Sequence, residues 1–281
     1  MQDSASIKNL LSLNSYYPKT HFGFAAGKLG LSAERIRECI DRKNFSAAEL
    51  PYEYLASLSS AAKKRLRSRF PMIHCGSFLV PELTALILGA GEKIREDLIR
   101  TCRGMVYKLS ADGIRYGTLD LALVRMLQDD SLREIAGSLL RKLHPVLLET
   151  SFTLLLPVRL PLPGSLPKES LTRFLRDEMI AGLKLSLEIY PHELKPDFRP
   201  EELAGTFRLE TGSVMFCCNA DSGNRFLRAH LAPWLRYFAL SAFPGPFLFC
   251  PFSRDNRLAP AESEALSDLT GDITKNCERE K

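Results

Sequence analysis

Eight side chains suited to acid–base or ligand chemistry stand at or just beyond the ends of apolar runs: Glu49, His74, Asp120, Arg159, Glu188, His192, Asn219 and Asp221. Carboxylates and imidazoles exchange protons with a substrate carbon. The same groups ligate divalent ions, hard cations through carboxylate oxygen and zinc, manganese or cobalt through imidazole as well. Arg159 offers a planar fork for a phosphate or carboxylate. As a set they suit a polyol, a sugar phosphate or a divalent metal. Each also has a plainer role. His74 can serve a loop carbonyl, His192 can cap its loop, Asp120, Asp221 and Glu49 can be helix N-caps, and Arg159 can bridge to Glu188. His21, His144 and His230 read as structural or surface-borne.

The element that must position the most reactive pair is Leu183-Lys184-Leu185-Ser186-Leu187-Glu188-Ile189-Tyr190-Pro191-His192. Leu183, Leu185, Leu187 and Ile189 fall on one face of an extended chain, and Lys184, Ser186, Glu188 and Tyr190 on the other, the period of two that marks a strand. Placed inside a barrel, Glu188 needs a partner, because an unpaired buried charge is costly; Arg159, Lys184 or a metal would serve.

Seven further strands and their helices follow the same logic. Strands are expected at 21–26, 46–51, 70–76, 114–120, 152–161, 213–221 and 247–252, and helices near 32–40, 60–66, from about 80 through 99, 131–149, 170–176, 200–203, 222–238 and 261–269. Phe152 to Pro161 is almost uniformly apolar, as a parallel strand covered on both faces should be. Eight strands alternating with helices over roughly 250 residues predict one (β/α)8 TIM barrel, spanning 1–281 with a polar lead of about 1–20 and a polar tail of about 255–281. An open doubly wound sheet would start with a glycine-rich phosphate loop, and Gly23, Gly27 and Gly30 do not form one. No Walker motif or nucleophile elbow is present.

Composition narrows the class further. Of 281 residues 45% are hydrophobic, enough for a full core, and 38 basic against 33 acidic residues give a mild positive balance spread along the chain. There is no basic run with interleaved aromatics, so nucleic-acid binding is not expected. Seven cysteines without a CxxC pair read as reduced, mostly buried thiols, with Cys39, Cys102 and Cys250 in apolar contexts. No signal-peptide pattern and no apolar run near the roughly 18 residues of a membrane span predict a cytoplasmic protein with no membrane partner.

The order of strand-end motifs resembles the xylose-isomerase-like TIM barrels, a superfamily of sugar-phosphate isomerases and epimerases that also includes endonuclease IV. Ala48-Glu49-Leu50-Pro51 is similar to its second-strand glutamate, Ile73-His74-Cys75-Gly76 to its third-strand histidine, and Leu187 to His192 to its sixth-strand acid followed by histidine. The resemblance implies a sugar or sugar-phosphate substrate and one divalent ion (Mn, Mg, Co or Zn) held on the last four strands, with two glutamates as acid and base. Read together with the other strand-end residues, it leads to catalysis by Glu188, His74 and His192, substrate contacts from Arg159, Asp120, Glu49 and Asn219, and metal ligation by Glu188, His192 and Asp221 as expectations. The chain departs from the pattern on three strands: Arg159 replaces a glutamate on the fifth, Asn219 and Asp221 a histidine on the seventh, and the eighth ends in Cys250-Pro251-Phe252 without a carboxylate. Only Glu188 is left of the quartet, which marks a diverged member. Two functions are compatible with that: an isomerase or epimerase with a degenerate metal site, or a barrel that has lost catalysis and serves as a binding or scaffold protein.

Overall fold

Alternation of side chains along an extended backbone decides which half of each strand is buried beneath helices and which half fills the space the strands enclose. The computed structural model describes residues 21–27, 32–40, 45–78, 89–160, 168–178, 180–190, 193–194, 199–200, 211–219, 233–234, 236–237 and 245–252. Eight parallel strands close into a barrel in chain order: β1 His21–Ala25, β2 Ala47–Leu50, β3 Met72–Ser77, β4 Tyr116–Thr118, β5 Thr153–Leu160, β6 Leu183–Ile189, β7 Thr211–Asn219 and β8 Pro246–Phe252. The last closes on the first, with Phe22 opposite Phe247 and Phe24 opposite Phe249. The helices are α1 Ala33–Ile40, α2 Tyr52–Ser57, α3 Ser60–Arg69, α4 Glu92–Ala111, α5 Leu123–Met126, α6 Asp130–Thr150 and α7 Lys168–Glu178. No helix among the described residues is long and apolar enough to cross a membrane.

One aromatic contact identifies the outer face. Trp234, in helical backbone between β7 and β8, packs edge-on against Phe216 at 6.3 Å, so Phe216 points away from the barrel axis. Its row continues through Phe249 and Phe24, and Phe22, Phe45 and Phe247 join the same layer with ring centroids 5.5–6.0 Å apart. On β5 the outward residues are Leu154, Leu156, Val158 and Leu160, all buried. Removing each such side chain from water is worth about 1.5–3 kcal/mol.

The longest helices start and stop where their termini are satisfied. Asp129 caps α6, its carboxylate accepting from the Ser131 and Leu132 amides at 2.9 and 3.1 Å, and Ser151 ends it in a left-handed conformation. The inner stripe of α6 is Leu139, Leu140, Leu143, Val146 and Leu147. Of the helix expected from about residue 80 through 99, residues 92–99 fall in α4, Glu92–Ala111, which begins after Gly91. Leu98 and Ile99 keep the buried positions expected of them and Cys102, Val106 and Leu109 prolong the stripe, whereas Ile94 is 54% exposed. Residues 79–88 lie outside the described residues, as do the polar lead, the expected helices 200–203 (Pro200 apart) and 261–269, most of 222–238, and the tail.

Two strands differ from expectation. β4 pairs only over Tyr116–Thr118 rather than 114–120, because the Ile114 amide is taken by the Leu109 carbonyl of α4 and a register shift after Cys75 lets Ser77 meet Thr118. β7 begins at Thr211, two residues earlier than expected, and is described to Asn219, with 220–221 outside the described residues; a shift between Thr211 and Ser213 accommodates Gly212. Cys75, Cys102, Cys217 and Cys250 are buried, and burial pushes the Cys102 thiol up to about 12.

Candidate active site at the carboxyl ends of the strands

With Phe216 outward, the inward residues follow by alternation and register. They are Glu49 on β2, His74 on β3, Tyr116 and Thr118 on β4, Arg159 on β5, Lys184, Ser186 and Glu188 on β6, Ser213, Met215 and Cys217 on β7, and Leu248 and Cys250 on β8. The polar ones form two groups.

Glu49 and His74 are direct register partners on adjacent strands. Glu49 is buried, and its Oε2 accepts the Gly27 amide at 2.9 Å. A Cβ at either Gly27 or Gly76 would stand 2.6 Å from Oε1, so the two glycines create the slot in which the carboxylate sits. His74 is fully buried, and its Nε2 lies 2.6 Å from Thr118 Oγ1. Its Nδ1 has no hydrogen-bond partner among the described residues. Burial without a counter-charge lowers its pKa to about 3, so the ring is a neutral imidazole at physiological pH and cannot serve as a cationic acid. Asp120 follows β4; its Oδ1 accepts the Ala122 amide at 2.8 Å, which braces the positive-φ turn at Ala122 before α5.

Arg159 and Glu188 are register partners near the carboxyl ends of β5 and β6. The Arg159 guanidinium lies over the Tyr190 ring, 4.3 Å from its centroid, and is ion-paired to Glu193, with Nε 3.3 Å from Oε2 and Nη2 on Oε1. Hydrogen bonding to Glu193 raises its pKa against the opposing effect of burial, and the charges of Glu193, Tyr190 and Cys217 add to the rise. Below this group Ser186 and Ser213 share a buried hydroxyl contact of 2.7 Å. His192 and Asp221 lie outside the described residues, and of Asn219 only the backbone, opposite Phe252, is described.

The fold therefore brings Glu49 to His74 and Arg159 to Glu188, one pair on each side of the barrel. Sequence reasoning missed Thr118, Tyr190 and Glu193 as participants. Tyr190 was readable in principle, since it continues the inward face two residues after Glu188. Glu193 was not, because its contact to Arg159 spans 34 residues and no local pattern encodes it.

Solved structures with the same barrel fold resemble this chain at low sequence identity. A D-psicose 3-epimerase from Clostridium cellulolyticum H10, solved with D-tagatose, superposes with a TM-score of 0.64 at 11% identity over 92% of this chain and 99% of the other. The chain has the fold of the xylose-isomerase-like TIM barrels. A xylose isomerase domain protein from Planctomyces limnophilus gives 0.64 at 12% identity, covering 94% and 100% of the two chains. A 3-keto-D-glucoside 4-epimerase from E. coli gives 0.61 at 14%, covering 90% and 100%. No family model matches the sequence, and no curated protein matches it either.

The described inward residues do not make a site for a hard divalent cation. Arg159 is a guanidinium already tied to Glu193, and Cys217 and Cys250 are sulfur donors, whereas such an ion takes oxygen. Among the described residues no group of three or more histidines, cysteines and carboxylates is placed to hold an ion.

Proposed function

We propose that this xylose-isomerase-like barrel binds a small carbohydrate or sugar phosphate at its carboxyl-end mouth and moves a proton on the carbon next to the carbonyl. The register of Arg159 with Glu188 carries the reading, because it sets a fixed cation beside a carboxylate where barrel enzymes hold their substrates. Glu188 is the base. Arg159 stabilises the negative charge that develops on the carbonyl oxygen, or holds a phosphate, without a metal being required. Neutral His74 and buried Glu49 face the opposite side of the substrate as hydrogen-bonding groups, with Asp120 shaping the rim. His192, Asn219 and Asp221, which follow in sequence, are the further candidates. The D-tagatose held by the similar D-psicose 3-epimerase structure supports a free ketose.

The test is solvent-deuterium uptake, followed by NMR, into a panel of ketoses, aldoses and their phosphates. Exchange next to the carbonyl that is lost in Glu188→Gln supports the reading. Ligand binding without exchange would favour the second reading, a binding protein descended from an enzyme, which the thiols on β7 and β8 motivate. Absence of both binding and exchange across the panel would overturn the carbohydrate assignment.

A further inference from the structure

The inward face of β7 and β8 carries three sulfur side chains that the carbohydrate reading does not use. Cys217 and Cys250 are direct register partners on neighbouring strands, and Met215 precedes Cys217 by two residues on the same face. All three are buried, with exposures of 1%, 3% and 4% for Cys217, Cys250 and Met215. Phe216 and Phe249, which lie outward, fix this orientation, and Cys217 is close enough to Arg159 for its charge to act on the guanidinium.

Cys217 and Cys250 are not joined in a disulfide. Neighbouring strands run ~4.8 Å apart. Two sulfurs in a three-donor shell, each about 2.3 Å from one ion, stand ~4 Å apart, a separation that side-chain rotation on neighbouring strands reaches. Thiolate and thioether donors select soft ions.

We propose that Cys217, Cys250 and Met215 form a sulfur site for a monovalent soft ion of the copper(I) class. Binding replaces the two thiol protons, which leave to solvent, and no electron is transferred; Cu(I) with two thiolates and a neutral thioether carries one net negative charge. The same three donors discriminate against Mg(II) and Mn(II), which require oxygen ligands. The site is independent of whether the mouth takes a sugar.

The experiment is anaerobic titration of the reduced full chain with Cu(I) against a chromophoric Cu(I) chelator, with X-ray absorption on the loaded protein. One tightly held ion with a sulfur-only first shell is expected, together with a roughly 100-fold loss of affinity in Cys217→Ala and in Cys250→Ala. Met215→Leu, which conserves volume, should cost less, and Cys102→Ala, on α4, nothing. A nitrogen or oxygen shell, undiminished binding in both alanine variants, or no binding by the wild-type chain would each overturn the proposal. The absorption measurement on wild-type protein stands even if a variant fails to fold.

Discussion

His74 should make the protein acid-sensitive by a calculable amount. Its pKa falls from 6.5 to about 3 through burial, with no charged partner to offset the cost. Because the folded value lies below the unfolded one, the unfolded chain binds the extra proton first. The stability tied to neutral His74 is complete above pH 6.5 and drains away as pH falls from 6.5 towards 3. The full difference corresponds to about 5 kcal/mol, and lowering pH from 8 to 5 already forfeits ~2 kcal/mol. That is a large share of the roughly 5–15 kcal/mol that holds a domain folded. Urea unfolding across this pH range measures the slope in wild type and in His74→Gln, whose amide can still meet Thr118 Oγ1 but does not titrate. The variant should lose ~2 kcal/mol of pH dependence between 8 and 5. His21 is also lowered by burial and contributes with the same sign in both proteins, so the difference isolates His74. A His74 ring that titrates near 6.5 by NMR, or identical slopes in the two proteins, would refute the reasoning.

Three further outcomes follow from the same coordinates. Gly76→Ala should destabilise by about 1–3 kcal/mol through its 2.6 Å approach to the buried Glu49 carboxylate, and by clearly less in a Glu49→Ala background, as a double-mutant cycle in denaturant will show. Glu193→Gln should tighten inorganic phosphate binding by calorimetry about two- to fivefold, the equivalent of releasing a part-exposed ion pair from Arg159; unchanged or weaker binding would count against an anion role for that residue. Leu140→Ala, at a fully buried position of α6, should cost about 2–5 kcal/mol, whereas Leu148→Ala, 63% exposed on the same helix, should stay within about 0.5 kcal/mol.

The barrel was legible because each strand carries its own address. β6 shows its two faces by alternation, β5 shows burial on both faces by its apolar run, and eight such segments between helices leave one closed arrangement. Short elements were harder. α2 follows Pro51, which reads as the end of a strand but occupies the N-cap, and α5 is a single turn set by Asp120 and Ala122. The candidate site was half legible. Glu49, His74 and Glu188 could be placed at strand ends from pattern alone, but their partners arise from register and loop return. Nothing near Arg159 in the sequence announces Tyr190 or Glu193, and nothing near Cys217 announces Cys250, 33 positions on, as its neighbour.

The Arg159–Tyr190–Glu193 cluster makes the mouth a competition rather than an open receptor. The guanidinium is already oriented by an aromatic face and occupied by a tethered carboxylate, so an incoming anion exchanges one ion pair for another. A monocarboxylate gains little from that exchange, while a phosphate dianion brings twice the charge and more acceptor oxygens. The protein's own glutamate therefore sets the threshold an anion must pass to reach Arg159.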